Sequence, residues 1–246
     1  MKTFMQFLTE NELTLQYHDR LNPKLWSGDK LRPEVKNKLG EIADSWAAEA
    51  LIPQDAIVDV VIVGGNANFN YTEFSDLDLH LIVNKSKIAD CENKLLDEYL
   101  LDKKQLWGLT HDVRIYGIPV EVYAQDLSEK TSKDQGVYSI IKNDWIKKPT
   151  YKKIDLDDPH IKRKAKNIED DINYFMKSKI DDLALLEKFK EKLRLMRKSA
   201  VQTGGEFSIE NLVFKELRNR GLLDKLTDYI NSVEDEKLSL KKKDKK

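Results

Sequence analysis

Asp76 and Asp78, separated by one leucine, open an apolar run that continues Leu79-His80-Leu81-Ile82-Val83. Side chains along a strand alternate faces, so both carboxylates project to one side while Leu77, Leu79 and Leu81 project to the other. At the rise of a strand, the two carboxylates stand about 7 Å apart along the backbone. Hard oxygen donors in that arrangement suit a divalent cation. Mg²⁺ fits well, because it keeps positions open for water or phosphate oxygens. Ten residues separate Asp76 from Gly64-Gly65, which ends a second apolar run, Ile57 to Val63, with Asp59 as its one charge. Glycines at the end of a strand let the backbone approach a phosphate and offer it N–H groups.

The order strand, Gly-Gly, spacer, Asp-x-Asp on a second strand resembles the signature of the DNA polymerase beta-like nucleotidyltransferase superfamily. Its residues here are Val63-Gly64-Gly65 and Ser75-Asp76-Leu77-Asp78-Leu79. The resemblance implies in-line attack of a hydroxyl on the α-phosphorus of a nucleoside triphosphate, with pyrophosphate leaving. It implies two Mg²⁺ ions, with Mn²⁺ as an alternative, about 3.5–4 Å apart on shared carboxylates. The nucleotide-binding residues it implies are Gly64, Gly65 and Asn66. Asn66 stands where many relatives have serine at or beside the turn; an asparagine amide can also donate to phosphate.

A third carboxylate from a neighbouring strand normally completes such a site. Glu121 is the candidate, as the one acidic residue in Ile118-Pro119-Val120-Glu121-Val122-Tyr123. A carboxylate on a buried sheet face is costly unless a cation or donor satisfies it. Asp112 is the rival, and Asp126 lies further along. The family commonly has aspartate here, so glutamate is a departure that adds one methylene of reach. The alternative for Glu121 is an outward position or an ion pair with Arg114. His80, on the same strand face as Asp78, reads as a half-buried, hydrogen-bonded histidine. Cations for the triphosphate would come from Lys85, Lys87, or the set Lys188, Lys190, Arg194, Arg197 and Lys198; none is singled out. Phe69, Tyr71 and Phe74 are either base-stacking residues or lids on the core. Tyr138 and Trp145 read as packing in a connector that could line an acceptor cleft.

With 246 residues the chain accommodates one large domain or two small ones. Acidic and basic residues nearly cancel, 43 against 42, so whole-chain charge says nothing about nucleic acid. A single cysteine excludes an intrachain disulfide framework, fits a reducing compartment and points to the cytoplasm. Cys91 itself reads as a small core residue of a helix. Residues 1–8 are apolar in flavour but soon interrupted by Glu10 and Glu12. They read as a short amphipathic helix docked on the body and not as a secretory leader. No run approaches the ~20 apolar residues that span a bilayer.

The expected fold is α+β, a small mixed sheet backed by helices and followed by a C-terminal helical domain. Residues 1–32 read as an extension, 33–150 as the catalytic domain, 151–238 as the helical domain and 239–246 as a disordered basic tail. A helix starts at Pro33, with Val35, Leu39, Ile42, Ala43 and Trp46 on one face, and Pro53 bounds it. Strands are expected at 57–63 and 77–83, a helix at 88–107, and a hairpin of 113–116 with 120–123 about Gly117-Ile118-Pro119. From Pro159 four helices follow. Ile161, Ala165, Ile168, Ile172 and Phe175 line the first. Leu183 to Met196 line the second, which Gly204-Gly205 stops. Ser208 to Arg220 and Leu222 to Val233 make the last two.

The proposed activity is transfer of a nucleoside monophosphate to RNA, a protein hydroxyl or another nucleotide. Two alternatives share the core: pyrophosphate transfer of the ppGpp-synthetase kind, and a non-catalytic nucleotide- or RNA-binding module.

Overall fold

A computed structural model describes residues 12–89, 91–129, 135–151, 156 and 158–240. The expected helix at 1–8 and most of the expected basic tail lie outside these residues. The fold is α+β. Its larger sheet has six strands: β3 (Ile57–Val63), β4 (Leu77–Val83), β5 (Arg114–Ile115), β6 (Ile118–Asp126), β7 (Val137–Ser139) and β8 (Asp144–Lys147). Their spatial order is β5-β6-β4-β3-β7-β8. A separate two-stranded ribbon joins β1 (Trp26–Ser27) to β2 (Lys30–Leu31).

β4 runs antiparallel to β3 and parallel to β6. The parallel step requires a crossover, and helix α2 (Asn93–Thr110) supplies it. Helix α1 (Pro33–Glu49) precedes β3; its N-terminal proline carries no N–H that the helix would need. One face of the sheet presents Val60, Ile62, Leu77, Leu79, Leu81, Val83, Val120, Val122 and Ala124 to the helices. There they join Val35, Leu39, Trp46, Leu96, Leu100 and Trp107 in one buried cluster. The alternation of β4 is complete: odd positions from Leu77 to Val83 are buried and even positions half-exposed. The leucines therefore anchor the strand and fix Asp78 and His80 on the opposite face.

β5 and β6 turn through Tyr116 and Gly117, both at positive φ (50° and 83°). That conformation matches the twist of a two-residue hairpin. Pro119 sits in β6 paired with Arg114. Elsewhere the structure redraws expectations. α2 begins at Asn93 and not at 88, because Lys85–Lys87 form a 3₁₀ turn capped by the Asn84 side chain. Cys91 consequently precedes the helix and is exposed, where a core position was expected. The buried stripe of α2 is Leu96, Leu100 and Trp107, and Leu95 faces solvent. The stretch around Tyr138 and Trp145, read as a connector, forms β7 and β8 and extends the sheet beyond β3.

The helices after residue 158 are α3 (Pro159–Lys177), α4 (Leu183–Gly204), α5 (Ile209–Asn219) and α6 (Leu222–Leu238). Asp158 and Asp182 cap α3 and α4 by accepting bonds from the backbone N–H of His160 and Leu185. Gly205 and Gly221 take positive φ where α4 and α5 end. Ile161, Ile172, Leu186, Leu193, Leu217, Leu226 and Ile230 form a second core, separate from that of the sheet. Cα packing divides the chain into Gln16–Lys153 and a discontinuous unit of Met1–Leu15 with Ile154–Lys246. The described part of the stretch read from sequence as one extension, residues 12–32, is thus shared between the two units. Leu13 and Leu15 pack on the helical core, while Leu21, Leu25, Trp26 and Leu31 enter the core of the sheet. Among the described residues no helix is long and apolar enough to cross a membrane.

Candidate metal centre

Asp76 ends the loop that leads into β4, and Asp78 is the second residue of that strand. The parallel register places Asp78 directly beside Glu121 of β6, and Leu77 beside Val120. Laterally paired residues share a sheet face, so Asp76, Asp78 and Glu121 converge. One carboxylate oxygen from each lies within 4.8 Å of the others. Ligands of a single Mg²⁺ at about 2.1 Å are at most about 4.2 Å apart. The cluster therefore fits one ion after a slight closure, or bridges a pair about 3.5–4 Å apart. Three oxygen donors with no histidine or cysteine among them make a hard-donor set that could hold a divalent cation.

Neither of the other acidic candidates joins the cluster. Asp112 pairs with Arg114 at 2.8 Å and is exposed. Asp126 accepts from the backbone N–H of Ser128 at 2.8 Å and from its hydroxyl; these bonds, the hydroxyl's first, hold its carboxyl below the usual range. Arg114, considered as a partner for Glu121, is thus engaged elsewhere. Lys104 of α2 takes that place, with Nζ 3.1 Å from Glu121 Oε2.

The glycine turn fits against Asp78. Gly64 has φ +75°, and a Cβ built on it would fall 1.7 Å from Asp78 Oδ2. The carboxylate occupies the space a side chain would need, so both the backbone angle and the close approach require glycine there. Val63, the last residue of β3, is the register partner of Asp78, which sets the turn beside the carboxylate.

Asn66 is fully buried. Its Nδ2 donates to the Asp76 carbonyl at 2.7 Å, its Oδ1 accepts from Asn22 Nδ2 at 2.9 Å, and its carbonyl accepts from Trp26 Nε1 at 2.8 Å. Both ends of the amide are spent inside the protein. Asn66 ties the glycine turn to the start of β4 and sets the position of Asp76. Asn22 and Trp26 secure it from the preceding segment.

His80 continues the row beyond Asp78, opposite Tyr123 of β6. Its Nδ1–H donates to Gln125 Oε1 at 2.8 Å. Burial pushes the imidazole pKa down, and the Lys104 charge adds to this against the opposing pull of Gln125 and Glu121. Of the aromatics in the loop, Tyr71 stacks on His18 with centroids 3.9 Å apart, and Phe69 packs on Tyr17 and Tyr151. Phe74 alone of the three is exposed. Tyr138 is fully buried, and Trp145 stacks on Trp26 at 4.8 Å; both hold the β1–β2 ribbon to the end of the sheet. Lys85 pairs with Asp97 at 2.5 Å and Lys87 with Asp55 at 3.4 Å. Arg194 forks onto Glu191, and Arg197 lies over the Phe214 ring.

No protein-family model matches the chain, and no curated protein matches it. One solved structure is similar: the STING-associated CdnE c-di-GMP synthase from Capnocytophaga granulosa. The match covers 83% of this chain and 82% of that one, at 16% identity and a TM-score of 0.22. The chemistry of the site lies in the three carboxylates themselves.

Lys104, Asn22 and the strut role of Asn66 were not legible in the sequence. Lys103 and Lys104 are adjacent lysines on a charged helix, and only the helix phase separates them. Lys103 lies over Tyr99, whereas Lys104 reaches β6.

Proposed function

We propose that this chain is a metal-dependent nucleotidyltransferase, moving a nucleoside monophosphate from a nucleoside triphosphate to a hydroxyl acceptor. The observation that carries this reading is the convergence of Asp76, Asp78 and Glu121 on one face of the sheet, with Gly64 packed against Asp78. In the transfer, the acceptor hydroxyl gives its proton to solvent as its oxygen bonds to the α-phosphorus, the bond from that phosphorus to the oxygen bridging to the β-phosphate breaks, and pyrophosphate leaves with the bonding electrons. Asp76, Asp78 and Glu121 would hold Mg²⁺ or Mn²⁺. When bound, these cations neutralise the triphosphate and make the hydroxyl more acidic.

The protein's own contribution is position. The Leu77–Leu79–Leu81 face of β4 is buried, so Asp78 cannot rotate away without unpairing the strand. Asn66 holds the backbone at Asp76. The parallel pairing of β4 with β6 fixes the lateral spacing to Glu121. Gly64-Gly65 offers a backbone unencumbered by side chains for the phosphates. Proteins hold such charges in place before the reaction, and this is the larger part of their catalytic effect.

The test supplies each of the four nucleoside triphosphates with Mg²⁺ or Mn²⁺ and RNA, protein or nucleotide acceptors, and measures pyrophosphate. Asp76→Ala and Asp78→Ala are each expected to abolish release while the far-UV circular dichroism is unchanged. Release of AMP in place of pyrophosphate would mark pyrophosphate transfer instead. Nucleotide binding that needs no metal and survives Asp78→Ala would mark a binding module.

A further inference from the structure

Lys104 lies outside the motif, on the helix that crosses from β4 to β6. Its Nζ is 3.1 Å from Glu121 Oε2 and 5.8 Å from the centre of the Tyr123 ring. Glu121 and Tyr123 are two residues apart on β6 and share a face, opposite Asp78 and His80 of β4. The ammonium therefore sits at the edge of the carboxylate cluster, on the carboxylate that β6 supplies. The Lys104 and Glu121 side chains are 33% and 50% exposed. An ion pair that open to water is weak, and its partners exchange readily.

A divalent cation on Glu121 and the ammonium of Lys104 draw on the same negative charge, and at this range they repel each other. We propose that Lys104 is a positioning residue that competes with divalent cations for Glu121, so that the lysine sets how readily the centre fills. The inference rests on the metal-dependent reading of Asp76, Asp78 and Glu121. Lys104 holds Glu121 facing the aspartates, and a cation takes the carboxylate over. The displaced ammonium is then left beside the centre, on a stem long enough to meet a polyanion such as a triphosphate. The lysine thus links cation loading to nucleotide loading, since the nucleotide offers it a second partner.

The experiment is a titration of the full chain with Mn²⁺, followed by electron paramagnetic resonance of the free ion and with no nucleotide present. Wild type, Lys104→Met, Lys104→Arg and Asp78→Asn are compared. Lys104→Met is expected to tighten Mn²⁺ binding about tenfold, the low end of what one neighbouring charge does to a protonation equilibrium. Lys104→Arg keeps the charge and is expected to stay near wild type. Equal or weaker binding by Lys104→Met, with wild-type binding still sensitive to Asp78→Asn, overturns the role of Lys104 and leaves the metal centre standing. Wild-type binding insensitive to Asp78→Asn overturns the metal centre and the inference together.

Discussion

Gly64 carries two demands at once. Its φ of +75° lies where a side chain is strained, and Asp78 Oδ2 fills the space where a Cβ would go. Gly64→Ala must therefore either move the carboxylate or bend the turn. At that φ, with ψ near −161°, the backbone strain costs about 1–3 kcal/mol. The displaced carboxylate is expected to weaken Mn²⁺ binding at least about tenfold, the effect of misorienting a ligand. Calorimetric titration with Mn²⁺ checks this, and unchanged affinity would show that the turn bends and leaves the carboxylate in place. The carboxylates and the glycine could be read from the chain because they are close in sequence and their geometry follows from strand and turn rules. Asn66 could not be read as a strut, because its partners Asn22 and Trp26 lie 44 and 40 residues away. Before the fold is known, a polar residue after a glycine pair looks equally suited to a phosphate.

β3 and β4 were legible to the residue because each is seven residues long and strongly patterned. β7 and β8 were not, being three and four residues long. All three residues of β7 are buried: Tyr138 enters the main core and Val137 packs with Val61 and Val63 on the other face. A short strand buried on both faces has no alternation to detect. Among the helices, the junction of α4 and α5 carries a testable ion pair. Glu206 is largely buried 2.7 Å from Lys215, and its carbonyl accepts from Asn211. Burial pushes the Glu206 carboxyl up, but the Lys215 charge and hydrogen bond, with Arg197 and Arg218, outweigh it and hold the group below the ordinary glutamate range. A depressed carboxylate contributes stability in full above the unfolded pKa, and that stability is lost as pH falls through the folded value. Urea unfolding should therefore show wild type more stable than Glu206→Gln at about pH 6, with the gap closing as pH falls below the ordinary glutamate range. A gap independent of pH would mean the pair is electrostatically silent.

The two units have separate hydrophobic cores, one built on the sheet with α1 and α2, the other on α3 to α6. Residues 16–153 hold all three carboxylates, Gly64, Asn66 and Lys104. Expressed alone, this segment is expected to unfold in one cooperative urea transition and to keep Mn²⁺ binding sensitive to Asp78→Asn. A fragment without a cooperative transition would show that its core is not self-sufficient. The helical unit, by contrast, is made of both ends of the described chain. Thr14 donates through its backbone N–H and its hydroxyl to Glu216, at 2.9 and 2.7 Å, and Asn219 and Arg220 reach back to Thr14 and Glu12. On the ribosome this arrangement imposes an order. Thr14 and Glu216 are 202 positions apart, which at ~5–20 residues per second is a wait of about 10–40 s. During that interval Leu13 and Leu15 lack the helices that bury them, while the sheet and its carboxylates are already fully synthesised. A translation product that stalls before Glu216 would thus carry the whole carboxylate cluster with an unfinished helical unit behind it.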